Sequence, residues 1–335
     1  MASGRATNEP TNYFALGKQS AKGQDDATFH YLRHLDGTGL EVNEDIESVR
    51  EGGDGQEIGL RYKTAISMDG NAVANARSEI AARLLAWTLG ADAATLPQGR
   101  ATVASGFANE HILTPAPNVP YLSAEQFWAD QVERSLDMKI TSLEIEFEQG
   151  RPLKMTAALL GGGSAYFPAT QGAATRETNK PFFYPFASVS LGGAANTKVT
   201  KGKITVKRGI DDGIRTNSLS REDAVEQNFD VDADLTIKYE TAADYDAAHA
   251  GGAAGSQIPI NLASTTLSIY AESGAGTTFR NVGLHLNQLD VTAHRVNKLD
   301  PDGKTMYSDV AFMGLKGATH QFHAKVTTAS VAALV

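Results

Sequence analysis

The chain has 335 residues, no cysteine and a formal net charge of −9. Without cysteine there is no disulfide, thiol nucleophile or thiolate metal site. An acidic chain is also ill suited to neutralising nucleic-acid phosphates, which takes clustered Lys and Arg. No apolar run approaches the ~18 residues of a membrane-spanning helix, and the first twenty residues lack the apolar stretch of a secretory signal.

In chain order, residues 1–27 read as a polar arm. Residues 28–34 are aromatic-rich and read as an opening strand, followed by a turn at Asp36, Gly37, Thr38 and Gly39. A glycine-rich acidic loop at 51–55 leads to a strand at 61–68. A helix follows at 75–89, where Ile80, Leu84 and Trp87 recur at i, i+4 and i+7 and Leu85 widens the stripe. Asn75 or Ser78 is expected to cap its start and Gly90 its end, with Arg77 and Arg83 facing solvent. The stripe reads as core packed on a sheet. Residues 91–120 are long and irregular, with Pro97, Pro115, Pro117 and Pro120. Residues 139–147 and 153–159 then read as a hairpin.

The same order recurs. A strand at 203–207, a polar insertion at 214–227 and a strand at 229–239 precede a short helix at 241–249. A strand at 265–270 and a hairpin of 282–296 with 306–315 follow, its tip at 300–304, and 321–326 closes the chain. Such self-similarity implies two copies of one β-rich unit. Gly161, Gly162 and Gly163 and the polar residues 166–180 separate them. The expected division is an arm at 1–27, a first domain at 28–165, a linker at 166–180 and a second domain at 181–335.

Two strands alternate cleanly. Leu143, Ile145 and Phe147 oppose Glu144, Glu146 and Glu148. Phe229, Val231, Ala233, Leu235, Ile237 and Tyr239 oppose Asp230, Asp232 and Asp234. Period-two alternation means one buried and one wet face. The wet faces are either ordinary exposed sheet or the wall of a water-filled channel. Acids also cluster along the chain: residues 41–57 carry seven acids and one arginine, which reads as solvated surface.

Motifs that carry chemistry fail on context. Gly303, Lys304 and Thr305 resemble the end of a phosphate loop, but Lys298 stands where its first glycine belongs. Asp300, Asp302 and Gly303 lack the later ligands of a calcium loop. His320 and His323, three apart on a strand, point to opposite faces and make poor co-ligands. No G-x-S-x-G occurs, nor a carboxylate pair placed for acid–base work. These readings predict no enzyme, no cofactor and no metal; an enzyme would declare itself by a deep pocket of convergent polar groups.

The order of several segments resembles the larger tail tube proteins of long-tailed bacteriophages. They are FALGKQSAKG at 14–23, RSEIAARLLAWTLG at 77–90 and HILTP at 111–115. DMKITSLEIEFEQGRPLKMTAALL at 137–160, PFFYPFASVSL at 181–191 and MYSDVAFMGL at 306–315 complete the set. The resemblance spans nearly the whole chain but does not account for 91–120 or 214–227. It implies a mainly β fold: two tandem tube-type β-sandwich domains, each with a flanking α-helix. Inner sheets join edge to edge into a closed β-barrel ring, and rings stack into a tube around a tape-measure protein, bounded by terminator and tail-tip proteins. The tube is assembled in the host cytoplasm and belongs to the virion tail; DNA passes through it without specific binding. Two domains per chain imply three chains per ring with pseudo-sixfold symmetry. Glu144, Glu146, Glu148, Asp230, Asp232 and Asp234 become candidates for the lumen wall, and the long polar segments for contacts between rings. The alternative reading is a capsid-decoration or adhesin-like β-sandwich protein, which would stay small when concentrated.

Overall fold

The computed structural model describes residues 13–25, 27–49, 60–93, 110–128, 131–161, 165–166, 174–183, 187–212, 224–239, 265–273, 280–296, 306–317, 320–328 and 334–335. The expected helix at 241–249, the tip at 300–304, the loop at 51–55, and residues 1–12, 94–109 and 213–223 of the long segments lie outside them.

The first half contains β1 (Tyr13–Lys18), β2 (Thr28–Leu32), β3 (Gly39–Val49) and β4 (Leu60–Asn75). Helix α1 (Ser78–Leu89) follows, then β5 (Gly90–Ala93) and β6 (Glu110–Pro115). Next come β7 (Leu122–Trp128), β8 (Gln131–Glu148), β9 (Lys154–Gly161) and β10 (Ala165–Tyr166). After β11 (Ala174–Arg176), the second half has β12 (Ala187–Leu191), β13 (Ala194–Ala195), β14 (Val199–Asp212) and β15 (Ala224–Tyr239). It ends with β16 (Thr265–Ser273), β17 (Arg280–Val296), β18 (Met306–Gly314) and β19 (Phe322–Thr327). The fold is mainly β, and among the described residues the pairing is antiparallel except where β11 runs parallel to β2.

The pairing scheme occurs twice. In the first half β3, β4, β9 and the second part of β8 lie side by side. In the second half β14, β15, β18 and the second part of β17 do the same. A companion set places β2, β1, β7 and the first part of β8 in order, matched by β13, β12, β16 and the first part of β17. Both long strands therefore serve two layers. Each carries a bulge where it joins the inner set, at Thr141 and at Thr292, and each threonine hydroxyl donates to a carbonyl across the strand pair, Ala158 and Ala311. Just before its bulge, β8 passes through Asp137 at φ 58, a left-handed conformation that aspartate tolerates. Its carboxylate accepts the Gly23 N–H at 2.6 Å.

One apolar core runs between the layers and through both halves. The helix stripe is part of it: Ile80, Leu84, Leu85 and Trp87 are buried. Leu143, Ile145 and Phe147, and Val231, Ala233, Leu235 and Ile237, are buried as their alternation requires. Gly90 ends the helix in the left-handed region at φ 91, its N–H bonded to the Ala86 carbonyl.

The helix start differs from expectation. Arg77 occupies the cap position without a side-chain bond. The cap is the Glu177 carboxylate, which accepts the Ser78 hydroxyl at 3.0 Å and the Glu79 and Ile80 N–H groups at 2.9 and 3.1 Å. A carboxylate at a helix N-terminus satisfies orphan donors and complements the helix dipole. Arg77 turns to the Asn179 carbonyl, and Arg83 pairs with Glu79 in a half-buried site rather than facing open solvent. Much of the stretch between the halves is thus packed: β11 augments β2, and Phe182 is buried and exchanges backbone bonds with Ala76 and Leu153. Residues 13–18, grouped with the arm by their sequence, form an interior strand between β2 and β7.

Candidate functional site

Three features of the inner strands bear on function: a charged face, a sealed seam between the halves, and two strand edges that pair with no further strand among the described residues. The charged face is the side of β8, β14 and β15 turned away from the core. Glu144, Glu146 and Glu148, together with Asp230, Asp232 and Asp234, lie on it, so the structure brings the two acidic rows onto one surface. They are not adjacent. β14 runs between them and interleaves lysines. Lys201 stands opposite Glu148, Lys203 opposite both Glu146 and Asp234, and Lys207 opposite Asp230. Nζ–carboxylate distances are 2.7 Å for Lys207–Asp232, 3.6 Å for Lys203–Glu144 and 3.2 Å for Lys154–Glu146. The Asp232 hydrogen bond raises the Lys207 pKa. Like-charge repulsion along each acidic strand is therefore relieved by cross-strand partners as well as by water. A concavity of about 740 Å³ opens over this surface, lined by Glu146, Lys154, Lys203, Asp234 and Asp309 among others. Its charges face one another across strands, as in a cross-strand ladder, and do not converge on one point.

The seam is formed by β8 and β14, paired from Lys201–Glu148 to Lys207–Ser142. Gly202 is required there. A Cβ on it would lie 2.5 Å from the Phe147 ring and 2.7 Å from a Leu235 methyl. Behind the seam, Arg208 of β14 donates to three carbonyls of the first half: Thr88 at 3.0 Å, Leu89 at 2.6 Å and Ala116 at 2.7 Å. A cation at the C-terminal end of α1 satisfies its last carbonyls and meets the negative end of its dipole. Burial pushes the guanidinium pKa down, and nearby Glu226 opposes that. Lys139 and Glu226 pair across the same boundary at 2.8 Å, and Glu226 also accepts the Val119 N–H at 3.1 Å. Burial disfavours the Glu226 carboxylate, but these hydrogen bonds and the lysine charge outweigh it and hold its pKa below the usual value.

The edges are β3 and the end of β17. Among the described residues β3 pairs only with β4. Beyond Leu289, β17 likewise pairs only with β18 among the described residues. The β3–β4 hairpin exposes Val42, Ile46, Leu60 and Tyr62. At Leu40 the Gln126 side-chain amide closes the β3 edge, accepting the N–H at 3.1 Å and donating to the carbonyl at 3.4 Å; beyond it, a strand edge flanked by exposed apolar side chains is a template for another strand.

The model of the phage tail tube protein family matches residues 11–309. The chain belongs to the phage tail tube protein family. Its role is accordingly structural, and self-assembly into a tube follows from membership. No curated protein sequence matches the chain.

Among the described residues, this tail tube protein has no cluster of metal-ligating side chains and no helix long and apolar enough to cross a membrane. His323 stacks on His285 with ring centroids 4.7 Å apart. Sequence reasoning missed the residues of the seam. Arg208, Glu226 and Lys139 sit in polar stretches where each looks like an ordinary surface charge. Their one local signal is that Lys139 stands between Met138 and Ile140, and that Arg208 shares its strand face with Val206 and Ile210 two positions away.

Proposed function

We propose that this tail tube protein forms trimeric, pseudo-sixfold rings from two tandem tube domains, about 28–165 and 181–335, joined through residues 166–180. The rings stack into the conduit that delivers DNA to the host. The observation that carries this reading is the seam. Within one chain, the edge strand of one four-strand set already hydrogen-bonds the first strand of an equivalent set. A repeat of that join, chain to chain, turns an open sheet into a closed barrel and removes exposed edges. Closure by rotation needs a whole number of chains, and two sets per chain make six from three.

In this reading the face bearing Glu144, Glu146, Glu148, Asp230, Asp232 and Asp234 lines the bore. The interleaved lysines keep it mixed in charge, with fixed carboxylates repelling DNA phosphates enough to prevent adhesion. A tape-measure protein occupies the bore during assembly, terminator and tail-tip proteins bound its ends, and the long polar segments within 1–24, 91–120 and 214–227 contribute contacts between rings. The virion tail is its location.

Averaged electron micrographs of tubes grown from concentrated protein test the reading. The expected cross-section has three chains and an approximate sixfold, clearer at the bore than at the outer surface where the loops of the two halves differ. Six full-length chains per ring, or a protein that stays monomeric at high concentration, would overturn it.

A further inference from the structure

We propose that β3 of one chain, from Glu41 onward, takes up the end of β17 from a second copy in one defined register, with Glu41 opposite Arg295, Val42 opposite His294 and Asn43 opposite Ala293. The inference rests on the self-assembly reading above and adds its residue-level geometry.

The register follows from the pairings of the two halves. Lys139 faces Leu160 and Leu160 faces Asp69; Asp290 faces Met313 and Met313 faces Asp232. Leu160 and Met313 are thus equivalent, as are Lys139 and Asp290, and Asp69 and Asp232. The bulges at Thr141 and Thr292 then coincide, and Glu144 becomes the equivalent of Arg295. On the other side, Asp69 faces Glu41 and Asp232 faces Thr205, so Glu41 is the equivalent of Thr205 and Val42 of Val206. Inside the chain Glu144 faces Thr205, Leu143 faces Val206 and Ile145 faces Ile204. Carrying those pairs to the equivalent positions yields the proposed register without adjustment.

Two independent observations support it. One position that the seam buries in the second half is bare in the first: Val206 is 0 % exposed and Val42 is 43 % exposed, while Leu40, the equivalent of Ile204, is buried within its own half. The register also places opposite charges face to face. Glu41 stands across its hairpin from Asp69, a carboxylate beside a carboxylate, and the incoming strand sets Arg295 on its other side. Opposite charges at facing antiparallel positions favour that pairing, and a slip by one residue would send the two to opposite faces.

The chain has no native cysteine, so introduced cysteines report the register directly. Glu41→Cys protein mixed with Arg295→Cys protein is assembled, oxidised and run on a denaturing gel. The expected product is a disulfide-linked dimer of different chains, and the double variant in one chain gives a ladder that ends in a cyclic species. Glu41→Cys mixed with Ala293→Cys, two residues out of register, gives at least about tenfold less, because its Cα atoms lie beyond disulfide reach. In parallel, Glu41→Arg or Arg295→Glu alone lowers the assembled fraction at least about tenfold, and the double reversal restores it. Assembly without the 41–295 cross-link, or no rescue by the double reversal, overturns the register and leaves the assembly reading intact. Failure of the unaltered protein to assemble at all overturns both.

Discussion

Strands β14 and β3 occupy the same place in the two halves yet live in different surroundings. Ile204 and Val206 of β14 are sealed beneath β8, while Val42 of β3 is open. Where β14 carries Arg208, buried and bonded to three carbonyls, β3 carries Glu44, which pairs with Lys63 in the open at 2.5 Å. The difference teaches what holds the join between the two halves. The join inside the chain forms at the high effective concentration of a tethered partner and is reinforced by a buried guanidinium bonded to three carbonyls. The β3 edge mixes exposed acids with exposed Val42 and Ile46, and under the proposed assembly it is the edge left for a second molecule.

That contrast can be broken at four points. The largest effect is expected from Arg208→Ala. It strips the last carbonyls of α1 of their donor and leaves a gap at the seam, at a cost of about 3 kcal/mol in subunit stability by denaturant unfolding. Glu44→Ala, at the equivalent position in β3, should change stability by less than ~0.5 kcal/mol; similar values for the two would mean that the seam is not what holds the halves.

Next come the paired valines. Val206→Ala should cost about 2 kcal/mol through the lost methyl groups and the cavity left behind. Val42→Ala should stay within ~0.5 kcal/mol in the isolated chain and register only as weaker assembly, read by sedimentation.

Glu177→Ala removes the remote cap of α1 and should cost about 1.5 kcal/mol. Helix amide exchange should rise first in the turn after Ser78, and Glu177→Asp, too short to reach both N–H groups, should not restore it.

The smallest effect is a pH dependence of the seam. Glu226 has a folded pKa below its ordinary 4.5, so its contribution is fully present above that value and is lost as pH falls through the depressed folded pKa. Acidification below 4.5 should therefore loosen the seam in the unaltered chain. Glu226→Gln should flatten that part of the stability profile, and a variant with the same acid slope would assign the effect elsewhere.

The sequence alone determined what is encoded in short-range periodicity. The helix stripe from Ile80 to Trp87, its glycine stop at Gly90 and the alternation of β8 and β15 appear in the structure because each rests on residues within one or two turns, or on a period of two. The order of elements and the family likeness were legible for the same reason, as strings of local signals. The β1 strand was not. Six residues with a glycine and a lysine look like part of an arm until β2 and β7 close on either side.

Tertiary structure decided everything that depends on partners distant in the chain. Glu177 caps a helix that begins about a hundred residues earlier, and Arg208 closes its other end from about 120 residues beyond. The lysines of β14 separate two acidic rows that the sequence presents as uninterrupted. Nothing in a local window distinguishes a carboxylate bound for a helix terminus from one bound for water, because both need the same polar neighbours. Only the register between strands, fixed by where side chains of both layers can be buried together, chooses between them.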